Sequence, residues 1–305
     1  MKCIFVLLLL LPAQGQAQNI SARQAKKLSG EIAATIKKHS IYVDSLDIKA
    51  ITQDVDKYAD TFKTYKEVGY YYTRLLRKAG DNHSFYISQS SMENYSAKQK
   101  DSIGFSYRLL DGRIGYLNIP GFLSTNKAVT NNFANRIHDA VRELDTHNEI
   151  TGWIVDLRQD DGGNMWPMVL GLAPLIGKET PGYFANSKRE TAWKTGSPFN
   201  DITIKAPYQL KSAGNKTAVL YSNKTASSGE MTAVCFIGKP NSRSFGETTG
   251  GFITGNEVFY LSDGNIFVLA TTYTLDRNKK KYTTGIAPDV PAKDALEEAV
   301  AWLKH

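Results

Sequence analysis

Two short runs, Gly152-Trp153-Ile154-Val155-Asp156-Leu157 and Thr217-Ala218-Val219-Leu220-Tyr221-Ser222, are apolar nearly throughout instead of alternating with polar residues. A strand with one wet face alternates. One that does not alternate is covered on both faces, which is the condition of a parallel or mixed sheet between layers of helix. The segments around the two runs supply those helices. Phe133, Ile137, Val141 and Leu144 recur at helical spacing after Ser124 or Thr125, either of which suits an N-cap, and they lead from a strand over 113–119 into the first run. Further helices are predicted over 165–176, after Gly162-Gly163, and over 228–237, after the second run. The order is strand, helix, strand, so the fold class is α/β with a mixed β-sheet core covered by helices. In such sheets functional groups gather at the carboxyl ends of the strands.

The flanking regions read differently. Leu28, Ile32 and Ile36, then Tyr65, Val68, Tyr72, Leu75 and Leu76, give a helical period, predicting an N-terminal helical cap over 18–82 ahead of a core over 83–305. Hairpin strands are expected near 257–261 and 266–273, turned by Asp263-Gly264, with a last helix over 292–304. At the N-terminus, Lys2 precedes an apolar stretch over 3–11, then Pro12 and the small residues of Gly15-Gln16-Ala17. This is the pattern of a secretory signal peptide over 1–17, cleaved near Ala17, and the stretch is far short of the ~20 residues that span a bilayer. The mature chain is therefore expected to be exported, periplasmic or extracellular, with no integral membrane segment. Cys3 leaves with the signal, so Cys235, set among Val234, Phe236 and Ile237, is expected to be a buried thiol with no internal partner. A net charge of +7 is a mild bias, scattered apart from Lys279-Lys280-Lys281, which reads as a solvated hairpin tip. No basic and aromatic interleaving marks a nucleic-acid face.

No H-E-x-x-H pair, phosphate-binding loop, dinucleotide fingerprint or G-x-S-x-G elbow occurs, so no cofactor and no metal is implied. Three features remain. In Thr225-Ala226-Ser227-Ser228-Gly229-Glu230, Ser227 and Glu230 are spaced as a capping box, and the same turn, at the end of a buried strand, also suits a nucleophile beside an oxyanion-binding helix start. Asp160-Asp161-Gly162-Gly163 follows the other buried strand. There glycine serves either a plain turn or a close approach of main-chain N–H groups to a ligand. His83, in Gly80-Asp81-Asn82-His83-Ser84, stands where the helical segment meets the strands, and it is either a hydrogen-bonded structural residue or a base for a serine.

Taken in order, these pieces resemble the C-terminal processing peptidase (tail-specific protease) family of serine peptidases and its tricorn-like and nisin-resistance relatives. Ile114-Gly115-Tyr116-Leu117 with Pro120-Gly121-Phe122 is similar to the family's first core strand, and Val155-Asp156-Leu157-Arg158 with Gly162-Gly163 to its "DLR-x-x-x-GG" segment. Thr225 to Glu230 resembles the "TASxxE" nucleophile turn, Gly246-Glu247-Thr248-Thr249-Gly250-Gly251 the following strand end, and Gly285-Ile286-Ala287-Pro288-Asp289-Val290 the closing "GI-x-PDv". The resemblance covers most of 70–290 and implies a ClpP/crotonase-like core. It implies that Ser227 is the nucleophile, that Ser228 and Gly162 or Gly163 give the oxyanion N–H groups, and that Glu230 supports the site, either by orienting His83 or by capping its helix. One position departs from the common pattern: the Lys base expected 25 residues after the serine is Phe252. That excludes a Ser–Lys dyad there and matches the branch that takes its base from a His in the place of His83. The stretch from His83 to Gly115 is too short for a PDZ module of ~90 residues. The implied activity is hydrolysis of peptides or unfolded protein C-terminal segments; the alternative is an inactive family member that binds peptides or lipids.

Overall fold

The computed structural model describes residues 19–88, 91, 104–124 and 126–305. The signal segment 1–17 and the expected cap Thr125 lie outside them. These residues form two compact units, one made of the described residues through 91 with Thr254–Tyr273, the other of the described residues from 104 to Ile253 with Thr274–His305.

The first unit holds the helices Ala22–His39, Ile48–Tyr58 and Tyr65–Lys78. Each starts where a short polar side chain takes up an otherwise orphaned N–H: Ser21 from Gln24, Asp47 from Ala50 and Thr64 from Glu67. The helical stripe Leu28, Ile32, Ile36 packs with Val68, Tyr72 and Leu76 around Tyr86, Phe267 and Leu269. Burying each such side chain stabilises by about 1.5–3 kcal/mol. The strands among these residues are Phe85–Ile87 and Gly255–Tyr260, both antiparallel to Ile266–Asp276. The helical segment is thus completed by a hairpin from far along the chain, turned at Gly264 (φ +84°) as Asp263-Gly264 suggests.

The second unit is built on a sheet in the order Val290–Pro291, Ser242–Gly246, Lys216–Tyr221, Gly152–Asp156, Ile114–Asn118, Ser106–Leu110. All neighbours are parallel except the last pair. Both non-alternating runs are central strands, as their composition demands. One face receives Ala295, Ala299 and Leu303 of the helix Ala295–Lys304, packed on Ile154, Ala218, Leu220 and Phe245. Helix Lys127–His147 packs on the strands Ile114–Asn118 and Ser106–Leu110 and against the helix Met165–Gly171. It is capped by Asn126, whose Oδ1 accepts from Ala128 and Val129, one residue beyond the expected positions. The helix expected over 165–176 breaks at Leu172 into Met165–Gly171 and Ala173–Ile176. Pro174 has no N–H to continue the ladder. Cys235 is buried, and Lys279 of the hairpin tip pairs with Glu190. Among the described residues no helix is long and apolar enough to cross a membrane.

Candidate active site

Strand Lys216–Tyr221 runs into a turn that is tied to the end of its neighbour. Ser222 Oγ donates to the Arg158 carbonyl (2.9 Å), Thr225 Oγ1 to the Leu157 carbonyl (2.8 Å) and Ala226 N–H to the Asp160 carbonyl (2.9 Å). The strand Gly152–Asp156 is anchored in turn by Asp156, whose carboxylate accepts from Arg158 (Nη2, 2.6 Å) and from Tyr116 Oη (2.6 Å). The turn ends at Ser227, fully buried, with φ 52° and ψ −112°. A non-glycine residue held there costs about 1–3 kcal/mol, which the surrounding contacts must offset.

Those contacts centre on Glu230. Its Oε2 accepts from Ser227 N–H (3.0 Å) and Phe252 N–H (2.7 Å), and its Oε1 from Thr249 Oγ1 (2.5 Å) and Gly251 N–H (2.8 Å). Burial pushes the Glu230 carboxyl above its ordinary range, and these donors pull it back. Thr249 Oγ1 also accepts from Ile286 N–H (2.7 Å), which joins the closing Gly285–Val290 segment to the same cluster. Phe252, at the position where a Lys base would stand, gives its main-chain N–H to Glu230.

The glycine pair lies at φ 130° (Gly162) and 120° (Gly163), and a Cβ on Gly163 would stand 2.0 Å from the Phe122 carbonyl oxygen. Only glycine fits. The two differ in what their N–H groups do: Gly162 donates to Asp160 Oδ1 (3.2 Å), whereas Gly163 N–H donates to no group among the described residues. Asp160 Oδ1 also accepts from Ser228 Oγ (3.4 Å), so this carboxyl bridges the glycine turn and the serine turn. A Cβ on Gly229 would stand 2.4 Å from the Asp160 carbonyl oxygen, so glycine is needed there too. Asp160 is fully buried, its Oδ2 has no hydrogen-bond partner among the described residues, and burial raises the carboxyl well above its ordinary value. Ser227, Ser228, Glu230, Gly162 and Gly163 thus sit in one unit, linked by Asp160, a residue that sequence reasoning passed over.

His83 belongs to the first unit. Its turn is closed by Asp81, whose Oδ1 accepts from the N–H groups of His83 (3.0 Å) and Ser84 (2.9 Å), and whose Oδ2 accepts from Ser84 Oγ (2.5 Å). The ring Nδ1 lies 2.8 Å from Thr254 Oγ1, Thr254 Oγ1 donates to Asn256 Oδ1 (2.9 Å), and Asn256 Nδ2 donates to the His83 carbonyl (2.9 Å). Burial pushes the imidazole pKa down to about 3, only partly opposed by hydrogen bonding to the Thr254 main chain, so the ring is neutral near pH 7. Thr254 and Asn256 were not singled out from the sequence; a Thr and an Asn give no signal until the residue they face is known.

The mixed sheet carries a strained serine turn and a glycine pair at the ends of neighbouring strands. The family model described as "Peptidase family S41" matches residues 113–292, and the chain belongs to that family of peptidases. The nisin-resistance protein of Lactococcus lactis subsp. lactis is 31% identical over 254 residues, spanning 79% of this chain and 75% of the relative. A lipoprotein from Streptococcus agalactiae superposes with a TM-score of 0.80 at 26% identity, over 98% of this chain and 99% of that one. The photosystem II D1 C-terminal processing protease superposes at 0.62 with 12% identity, over 93% and 97% of the two chains, so it shares the fold. The resemblance read from the motifs therefore stands. Ser227, Ser228, Glu230, Gly162 and Gly163 fall inside the matched span, and His83 lies outside it.

Proposed function

We propose that this chain is an exported serine-type peptidase in which Ser227 attacks the scissile carbonyl and His83 is the general base. The observation that carries this reading is the Ser227 backbone, held at φ 52° at a strand-to-helix turn with its N–H fixed by buried Glu230. Strain of this kind at a nucleophile presents the hydroxyl at the end of the strand. Neutral His83 takes the Ser227 proton, and Ser227 Oγ bonds to the carbonyl carbon. The resulting oxyanion is held by the N–H groups of Ser228 and of the glycine pair. Gly163 is the better donor of the two, because Gly162 N–H is already given to Asp160. The proton on His83 then goes to the leaving amine, and water releases the acyl group by the reverse steps. The imidazolium is formed against the pull of burial, so its stability depends on the oxyanion formed in the same step.

Substrates of this reading are peptides or unfolded C-terminal segments of proteins. The nisin-resistance and lipoprotein relatives support work on peptides at the cell envelope, in keeping with an export signal over 1–17. Incubation of the purified protein with a fluorophosphonate, followed by peptide mass mapping, tests the mechanism. An adduct on Ser227 that Ser227→Ala abolishes is the expected result. No adduct on the wild type, or equal labelling of Ser227→Ala, makes the protein a non-catalytic binder of peptides or lipids.

A further inference from the structure

We propose that Thr254 and Asn256 are positioning residues that lock His83 in its Nδ1–H tautomer, leaving the lone pair on Nε2; the catalytic value of this rests on the reading of His83 as general base.

The direction of each proton follows from groups that have no choice. A main-chain carbonyl only accepts, so the Asn256 atom 2.9 Å from the His83 carbonyl is the amide nitrogen. That turns the amide oxygen, again an acceptor, toward Thr254 Oγ1 at 2.9 Å. The Thr254 hydroxyl has one proton and gives it to Asn256. What it presents to His83 Nδ1, 2.8 Å away, is a lone pair. Nδ1 must therefore carry the ring proton. A neutral imidazole has only one N–H, so Nε2 is the basic nitrogen.

The loop starts and ends on His83, and water has no access to rearrange it: relative exposure is 4% for His83, 5% for Thr254 and 0% for Asn256. The carbonyl that sets the sequence of donors is itself fixed. Asp81 clamps the N–H groups on either side of it, and Ser84 Oγ, which donates to Asp81, accepts from Ala270 N–H at 2.8 Å. The relay ends in a neutral amide and a neutral hydroxyl, so it sets orientation and tautomer without adding charge.

The test is ¹⁵N–¹H long-range correlation on the histidine-labelled protein at pH 7, assigned with His83→Asn, alongside the rate of fluorophosphonate labelling. The wild-type His83 ring is expected to show a protonated Nδ1 and an unprotonated Nε2. Thr254→Val, which keeps the shape and loses the acceptor, is expected to shift the proton to Nε2 and slow labelling about 100-fold. Thr254→Ser, which keeps the hydroxyl, is expected to restore both. A wild-type ring protonated on Nε2 overturns the proposal without any variant, and so does a folded Thr254→Val that keeps the Nδ1–H signature. If the signature is found and lost as expected while wild type takes no label, the tautomer lock stands and the general-base reading fails.

Discussion

Glu230 holds the main-chain N–H of Ser227 at 3.0 Å with one carboxylate oxygen and the hydroxyl of Thr249 at 2.5 Å with the other, so a single buried carboxylate fixes the serine turn and the strand end that follows it. With Gly251 and Phe252 it has four donors and carries their registration. Glu230→Ala strands these donors in a dry site, and losing them is expected to cost roughly 3 kcal/mol or more. Urea denaturation of the two proteins measures it. A loss under 1 kcal/mol would mean that the turn holds itself.

Gly163→Ala is expected to act on both fold and chemistry. The methyl would meet the Phe122 carbonyl, and φ 120° is strained for alanine. Alanine keeps the N–H, but relief of the clash moves it off the oxyanion, so a lower melting temperature should come with a fall in labelling rate of about 100- to 1000-fold, the usual cost of one oxyanion donor. Labelling at the wild-type rate by a folded Gly163→Ala would remove this residue from the mechanism.

The depressed pKa of His83 makes two predictions about acid. Above pH 6.5 the ring is neutral whether the chain is folded or not. As the pH falls below 6.5 the unfolded chain takes a proton that the fold refuses until about pH 3, so stability is lost progressively across that window. His83→Asn should flatten this loss in denaturation curves taken from pH 7 to 4. The labelling rate should also stay level between pH 5 and 8. An inflection near 6.5 would mean that the base is not this buried ring.

Asp160 has the opposite sign. Burial raises its folded pKa well above the ordinary carboxylate value, so the unfolded chain ionises first and stability falls as the pH climbs past the unfolded value of 3.8. Asp160→Asn keeps the shape and the acceptor for Gly162 and Ser228 without the ionisation. It should be more stable than wild type at pH 8, with the gap closing toward pH 4, and should label at a similar rate. A variant less stable than wild type at pH 8 would mean that the ionised form is the one the fold uses.

The sheet was legible because its signals are local. A strand buried on both faces shows it in every residue, as over 152–157 and 217–222, and the serine turn and glycine pair lie at the ends of those strands. What stayed hidden depends on contacts across the chain. The hairpin from Gly255 to Tyr273 packs with helices that begin at Ala22, and no periodicity records which layer a strand joins. Asp160 looks like an ordinary turn residue until its burial beside Ser228 is known, and Thr254 and Asn256 matter only through His83, some 171 and 173 positions away. Helix ends differ by a few residues where a better-placed side-chain acceptor, as at Asn126, or a missing main-chain donor, as at Pro174, decides the matter.

On the proposed reading of Ser227 as nucleophile, its positive φ sets heat resistance against turnover at one position. Glycine there would relieve the backbone, so selection for survival at high temperature, blind to chemistry, would drift toward it. A thermostable variant of this protein should therefore have residue 227 sequenced before its activity is assayed.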